Sequence, residues 1–298
     1  MAETLYIGID GGGSKTAVVL TDRDGTVLRQ YTVGATNPND VGLAEACKRL
    51  EGGVAELLKQ AGASKSDVAA LFAGIAGSSA ADYAARMEAR LQKLLPRAKV
   101  SVSHDGVNLL YSCFPDRDGI CVICGTGSSC FIKRGAEVLR VGGYGLFDLN
   151  GSGYELGRHA IAHALRCTDG RDEAGALYRL VEQKAGGDPF ERLGALIALP
   201  KDEIAKYAPL VIDASEQGDE YAQTILDGCM RYVAELIRTA RKRCGETLPV
   251  GLGGGIFSSP YCVGRLAALL GDGELTLPDC APCVGAARKA RALCAPSA

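Results

Sequence analysis

The stretch that most constrains the fold reads Tyr6-Ile7-Gly8-Ile9-Asp10-Gly11-Gly12-Gly13-Ser14-Lys15-Thr16 and runs directly into Ala17-Val18-Val19-Leu20. An apolar strand, a glycine-rich tip and a second apolar strand predict a β-hairpin whose tip is almost bare backbone. Glycine has no Cβ and tolerates positive φ, so successive amide N–H groups at such a tip can point at one anion. The segment therefore predicts a phosphate-binding hairpin, with a glycine turn that binds no ligand as the alternative.

The residues around this tip narrow the kind of phosphate site. Asp10 ends the first predicted strand, and a carboxylate there can hold magnesium or its waters beside a phosphate. A Walker P-loop or a dinucleotide-binding loop would need a helix after its glycines, whereas a strand follows here, so both motifs are disfavoured. Lys15 could neutralise phosphate charge, and an exposed loop lysine without a ligand is the alternative.

Length and composition limit the function classes. At 298 residues the chain has room for two domains of ordinary size. Its net charge of −2 and its scattered basic residues give no footprint for nucleic acid, so we expect a small-molecule partner. Because the sequence shows neither a signal segment nor a run of 18 apolar residues, we expect a cytoplasmic protein without membrane contact.

The chain contains 12 cysteines, which we expect to be reduced thiols that fill apolar space. Two pairs have the C-x-x-C spacing of metal and redox sites. Cys121 and Cys124 lie in an apolar run that reads as a strand, where residues three apart face opposite sides. Cys280 and Cys283 precede a predicted helix, but no second pair with ligand spacing completes a zinc site.

Alternating elements indicate a mixed sheet with helices on its faces. In the N-terminal part, the pattern predicts further strands at 26–32, 68–73 and 99–103, and helices at 39–61, 79–95 and 107–113. The strand–loop–strand arrangement then returns as a strand at 120–124, the loop Gly125-Thr126-Gly127-Ser128 and strands at 130–133 and 136–141. This internal repeat predicts two amide-rich loops that face each other across a cleft.

The rest of the second half is mainly helical. The pattern predicts helices at 151–166, 177–184, 192–197, 207–216 and 219–243. A strand at 248–252 then runs into Gly253-Gly254-Gly255. This is a third glycine-rich loop at the carboxyl end of a strand, where open α/β sheets bind ligands.

Seven segments, in chain order, resemble the N-acetylglucosamine kinases grouped with the BadF/BadG/BcrA/BcrD ATPases, which have the actin-like ATPase/sugar kinase fold. The segments are Gly8-Ile9-Asp10-Gly11-Gly12-Gly13-Ser14-Lys15-Thr16, Asn37-Pro38-Asn39-Asp40-Val41-Gly42, Ala73-Gly74-Ile75-Ala76-Gly77, Val102-Ser103-His104-Asp105, Gly125-Thr126-Gly127-Ser128, Gly253-Gly254-Gly255 and Pro282-Cys283-Val284-Gly285-Ala286-Ala287. The resemblance implies a two-lobed α/β fold, ribonuclease H-like, with a mixed sheet flanked by helices in each lobe. We expect lobes at 1–114 and 115–282, with a closing helix at 283–298 that packs back on the first.

The resemblance also implies an activity, which is transfer of the γ-phosphoryl group of ATP to a hydroxyl of an amino sugar. N-acetylglucosamine, N-acetylmuramic acid and glucosamine are the sugars of that class. Asp10 would hold the magnesium ion, and the phosphate and adenosine motifs would bind ATP. The other cofactor-binding residues implied are Gly11, Gly12, Gly13, Ser14, Lys15, Thr16, Gly125, Thr126, Gly127, Ser128, Gly253, Gly254 and Gly255.

Two residues carry the sugar chemistry in this resemblance. Asp105 is the candidate base for the attacking hydroxyl, and a helix N-cap is its alternative role. Asn37 would contact the sugar, because its side chain can both donate and accept, and a turn residue before Pro38 is its alternative role. The resemblance also suggests a homodimer.

One segment departs from the family. After Gly142-Gly143-Tyr144-Gly145 the family usually continues through a Gly-Asp-Glu-Gly-Ser segment whose Asp contacts the sugar, whereas this chain reads Leu146-Phe147-Asp148-Leu149-Asn150-Gly151-Ser152. The candidate sugar contacts are therefore Gly143, Tyr144 and Asp148, with Asp148 either taking the missing role or leaving it unfilled.

Two other functions fit the same pattern less well. One is an ATPase activator of a dehydratase or reductase, which would hold an iron–sulfur cluster between two subunits through cysteines. The other is a sugar or nucleotide sensor without catalysis.

Overall fold

The computed structural model describes residues 4–135 and 137–295. The chain divides into two compact units. One unit runs to Asp118 and includes the chain again from Pro278, and the other spans Gly119–Leu277. Residue 136, with which one predicted strand begins, lies outside the described residues.

The first unit is an α/β sandwich of strands and helices. Its elements are β1 (Leu5–Gly11), β2 (Lys15–Thr21), β3 (Val27–Gly34), α1 (Pro38–Val41), α2 (Leu43–Ala61), β4 (Val68–Ile75), α3 (Tyr83–Leu94), β5 (Lys99–Ser103) and α4 (Gly106–Cys113). In the part of this unit that is described, the strand order is β3-β2-β1-β4-β5. The β1–β2 and β2–β3 pairs are antiparallel, whereas β1–β4 and β4–β5 are parallel. The predicted mixed sheet is confirmed.

After the second unit, the chain returns to the first unit near its C-terminus and forms a helix there. A Cβ on Gly8 would lie 2.1 Å from the carbonyl oxygen of Cys283, so glycine lets this helix touch the backbone of β1. Gly285 allows a similar approach to α4, because a Cβ there would lie 2.2 Å from the carbonyl oxygen of Asn108.

The second unit repeats the sheet of the first. Its elements are β6 (Gly119–Cys124), β7 (Ser128–Arg134), β8 (Glu137–Val141), α5 (Gly153–Thr168), α6 (Ala176–Ala185), α7 (Leu193–Ile197), α8 (Lys201–Ala205), α9 (Ala208–Glu216), α10 (Glu220–Cys244), β9 (Val250–Gly253), α11 (Pro260–Leu270) and β10 (Leu275–Thr276). The helix that returns to the first unit is α12 (Pro282–Ala292). The strand order of the second unit, over the described residues, is β10-β9-β6-β7-β8. The antiparallel and parallel pairs fall at the same places as in the first sheet.

Several predicted elements need correction. The helix predicted at 39–61 is two helices, because Gly42 adopts a φ of +78° between them. The helix predicted to begin near residue 79 begins at Tyr83, after turns in which the N–H of Ser78 donates to the carbonyl of Ile75. Two further helices, α8 and α11, were not predicted from the sequence pattern. The second of these begins with a Ser259 cap and Pro260, a start signal that was present in the sequence.

Each unit has its own apolar core, and the cysteines contribute to both. Cys121 and Cys124 are buried in β6, and burial raises the pKa of the Cys124 thiol. Burial also raises the pKa of the Cys283 thiol to about 11. In the described parts of the chain, no group of three His, Cys, Asp or Glu side chains is arranged to hold a metal ion. None of the described helices combines the length and apolar character needed to cross a bilayer.

Candidate functional site

The glycine hairpin is confirmed as the turn between β1 and β2. The N–H of Gly12 donates to the carbonyl of Lys15 at 3.0 Å, and the carbonyl of Gly12 accepts from the N–H of Thr36 at 3.1 Å. A Cβ on Gly11 would lie 2.4 Å from Ile75 Cδ1, so only glycine fits against the end of β4. Gly13, Ser14 and Lys15 are exposed, and they form a tip of mostly bare backbone.

Thr16 differs from the other members of this motif. Its side chain is fully buried, and its hydroxyl lies 2.6 Å from the hydroxyl of Thr36. The hydroxyl of Thr16 therefore lies in the interior of the unit and has a packing role, and cofactor binding by Thr16 stays a prediction.

Asp10 is the carboxylate closest in sequence to the hairpin. It is partly buried at the end of β1, and the side-chain amide of Asn108 donates to its Oδ1 at 2.7 Å. Burial raises the pKa of the Asp10 carboxyl, while this hydrogen bond and the charge of Lys15 oppose the rise. A carboxylate oxygen is the donor that Mg²⁺ prefers, so Asp10 fits the metal role predicted for it.

Asp105 lies at the same edge of the sheet as Asp10. The register pairs Asp10 with Gly74 and Gly74 with Ser103, so the carboxyl ends of β1, β4 and β5 lie side by side. Asp105 follows β5 and precedes α4, but its side chain makes no capping hydrogen bond to that helix. The N-cap alternative therefore lacks the contact that would define it.

Asn37 lies against the turn that follows β4. It caps α1 by accepting a hydrogen bond from the N–H of Asn39 through Oδ1 at 3.0 Å. Gly77 has a φ of +77°, and a Cβ there would lie 2.1 Å from Asn37 Oδ1. Asn37 is thus a turn and cap residue, and its side-chain NH₂ is the group that a ligand could still engage.

In the second unit, the loop Gly125–Gly127 is held by the start of α5. The N–H of Gly153 donates to the carbonyl of Gly125 at 2.7 Å, and that of Tyr154 donates to the carbonyl of Thr126 at 3.3 Å. Because these bonds use loop carbonyls, they fix the loop without consuming its amide N–H groups. Thr126 and Gly127 are exposed.

Ser128, predicted to bind the cofactor in the same motif, has a buried side chain. Its hydroxyl donates to the carbonyl of Asn150. This contact links the beginning of β7 to the segment before α5, which gives the hydroxyl a structural role, and cofactor binding by Ser128 stays a prediction.

The third glycine loop lies against the second within this unit. Gly254 has a φ of +93°, and a Cβ there would lie 2.3 Å from the carbonyl oxygen of Cys124 and 2.8 Å from the N atom of Gly125. Gly253 ends β9, and Gly255 faces open space. Gly254 is therefore required by both conformation and packing.

The segment that departs from the family is held by its own acidic residue. Asp148 Oδ2 accepts from the N–H of Gly143 at 2.7 Å, and the hydroxyl of Tyr232 donates to Oδ1. Both oxygens of Asp148 accept hydrogen bonds inside the unit, so Asp148 anchors the loop, and its contact with a sugar stays a prediction. The side chains of Tyr144 and Phe147 are 66% and 98% exposed.

Sequence reasoning missed two residues of this arrangement. Asn108 is a buried polar side chain with apolar neighbours on both sides in α4, and that contrast was the available signal. Tyr232 lies on α10, 84 residues from Asp148, and no local pattern marks it.

Comparisons with known proteins agree with the geometry. The profile of the BadF/BadG/BcrA/BcrD ATPase family matches residues 7–290. An N-acetylmuramic acid/N-acetylglucosamine kinase of Clostridium acetobutylicum is 31% identical over 231 residues, covering 76% of this chain and 75% of that relative. An N-acetyl-D-glucosamine kinase of Dictyostelium discoideum is 27% identical over an alignment of 315 positions, covering 96% and 98%.

A solved structure gives the same result. A protein of Chromobacterium violaceum, provisionally assigned as an N-acetylglucosamine kinase, superimposes with a TM-score of 0.77 at 26% identity and covers 96% of this chain and 98% of that chain. The family match and the fold together confirm the resemblance inferred from the motifs, and the chain belongs to the BadF/BadG/BcrA/BcrD ATPase family.

Proposed function

We propose that this protein is an ATP-dependent kinase that transfers the γ-phosphoryl group to a hydroxyl of an amino sugar. The observation that carries the proposal is the edge of the first sheet, where Asp10 and the glycine hairpin lie at the end of β1 and Asp105 follows the end of β5, with β4 between these two strands. The relatives named N-acetylmuramic acid/N-acetylglucosamine kinase and N-acetyl-D-glucosamine kinase support the amino-sugar class.

In this proposal the residues have separate roles. The exposed backbone of Gly13 and Ser14 binds phosphate oxygens, and the exposed backbone of Thr126 and Gly127 is a second candidate for this role. Magnesium held by Asp10 would neutralise charge on the phosphates.

In the proposed chemical step, Asp105 accepts the proton of the sugar hydroxyl. As the sugar oxygen bonds to the γ-phosphorus, the bond from that phosphorus to the β–γ bridging oxygen breaks, and ADP leaves with that electron pair. The hydroxyl proton passes to the carboxylate of Asp105.

The proposal is tested by ADP release from magnesium ATP with hexoses, hexosamines and N-acetylated amino sugars, against a blank without sugar. We expect release to depend on an amino sugar and hexoses to give much less. Equal hydrolysis without sugar would favour the ATPase activator. Sugar binding without ADP release would favour the sensor.

The buried hydroxyl pair gives a separate prediction for Thr16→Val. Removing one hydroxyl leaves Thr36 buried without its partner, so we expect the free energy of unfolding to fall by about 1–3 kcal/mol. The KM for ATP should stay within about twofold, because the hydroxyl faces the interior. Urea unfolding and steady-state kinetics check the two parts.

Thr32→Val is the matched control, since Thr32 is exposed on β3 and its variant should keep wild-type stability. A large rise in the KM for ATP in Thr16→Val at unchanged stability would restore Thr16 to the phosphate site.

A further inference from the structure

Asn108 makes an unusual set of contacts for a residue inside a short helix. Its side chain is fully buried on α4, three positions after Asp105. The Nδ2 atom lies 2.7 Å from Asp10 Oδ1, 3.3 Å from the carbonyl oxygen of Ile9 and 3.2 Å from that of Gly74. One amide group therefore joins the ends of β1 and β4 to the helix that follows β5.

The space for this amide is created by a glycine. A Cβ on Gly74 would lie 2.2 Å from Asn108 Oδ1 and 2.5 Å from Nδ2, so any other residue at position 74 would displace the side chain. One turn along the helix, the Ser112 hydroxyl donates to the backbone carbonyl oxygen of Asn108 at 2.9 Å. The side-chain amide itself is positioned by its contacts with the ends of β1 and β4.

We propose that Asn108 is a positioning residue that orients the Asp10 carboxylate for a divalent cation. The amide donates to Oδ1, so Oδ2 is the oxygen presented to the cation or to its waters. The same amide couples Asp10 to the helix that carries Asp105 at its start, so the two carboxylates keep a fixed relation. This inference rests on the proposed kinase function, in which the cation neutralises charge on the phosphates of ATP.

The residue type suits this task. A neutral amide donates a hydrogen bond without adding positive charge, so it does not compete with the cation as lysine or arginine would. If Asn108 served only to satisfy the buried carbonyls of Ile9 and Gly74, its loss would lower stability without changing cation binding.

The test compares Asn108→Ala with wild type by titrating Mn²⁺ into the protein–ADP complex and following free Mn²⁺ by electron paramagnetic resonance. We expect the dissociation constant for Mn²⁺ to rise about tenfold, the scale of one lost hydrogen bond to a charged group. The Mg²⁺ concentration for half-maximal turnover should rise in parallel, with the KM for the amino sugar within about twofold. Unchanged Mn²⁺ binding in a folded variant would overturn the proposal.

Ser112→Ala is the control, because Ser112 lies on the same helix, is equally buried, and its hydroxyl donates to the backbone carbonyl of Asn108. It should change stability and leave Mn²⁺ binding as in wild type. An equal loss of Mn²⁺ binding in Ser112→Ala would show that packing of α4, and not the amide of Asn108, controls the cation.

A measurement on the wild-type protein covers the case in which Asn108→Ala does not fold. In nuclear magnetic resonance spectra, Mn²⁺ with ADP should broaden the side-chain amide signals of Asn108, whereas Mg²⁺ with ADP should shift them. Signals that neither cation changes would overturn the proposal. Failure of the kinase function alone would appear differently, as normal Mn²⁺ effects without any sugar-dependent ADP release.

Discussion

Asp105→Asn is expected to lower turnover about 100-fold or more while magnesium ATP binds with nearly unchanged affinity. Asparagine keeps the shape of the side chain but cannot accept the proton of the sugar hydroxyl, and lost general-base help has this magnitude. Asparagine suits the first position of a helix about as well as aspartate does, so α4 should keep its stability in this variant. Steady-state kinetics give the turnover, and calorimetric titration with a nonhydrolysable ATP analogue gives the affinity.

Asp116→Asn is the matched control, because Asp116 is an exposed carboxylate in the same unit and loses the same charge. Its turnover should equal that of wild type. Wild-type turnover in Asp105→Asn would remove Asp105 from the chemical step and return it to a structural position at the start of α4.

Gly254→Ala should weaken ADP binding by tenfold or more and destabilise the protein by about 2–4 kcal/mol. The methyl group would need both a left-handed φ of +93° and a place 2.3 Å from the carbonyl oxygen of Cys124. Relief of that clash moves the backbone of the loop that begins at Gly125, where we propose that phosphate binds. Calorimetry with ADP and thermal unfolding measure the two effects.

Gly255→Ala is the control for Gly254→Ala, because it adds the same methyl group to the same loop without the clash. A Cβ on Gly255 meets nothing within 4 Å, so this variant should keep wild-type stability. If Gly254→Ala lost stability but bound ADP normally, this glycine loop would not belong to the nucleotide site.

Much of the fold could be predicted from the sequence because it is carried by local patterns. Apolar strands next to glycine tips predicted both hairpins, and their repetition predicted the second sheet, whose strand order matches that of the first. The errors came where one residue overrides a helical pattern. Gly42 interrupts an otherwise continuous helix with a φ of +78°, a conformation that glycine adopts without strain.

The parts of the candidate site that consist of backbone could be predicted from the sequence. Glycine loops can be recognised from residue composition. The direction in which a hydroxyl points depends on a partner that is distant in sequence. Thr16 pairs with a residue 20 positions away, and Ser128 with a carbonyl 22 positions away. The amide of Asn108 reaches Asp10 across 98 positions, a contact that no periodicity in one sequence encodes.

The most direct test of the kinase proposal is phosphorus nuclear magnetic resonance of the complete reaction with magnesium ATP and each amino sugar in turn. The proposal predicts a new phosphate monoester signal from a sugar phosphate, which grows with ADP in equal amount and requires the sugar. Inorganic phosphate that appears with ADP at the same rate with and without sugar would contradict it.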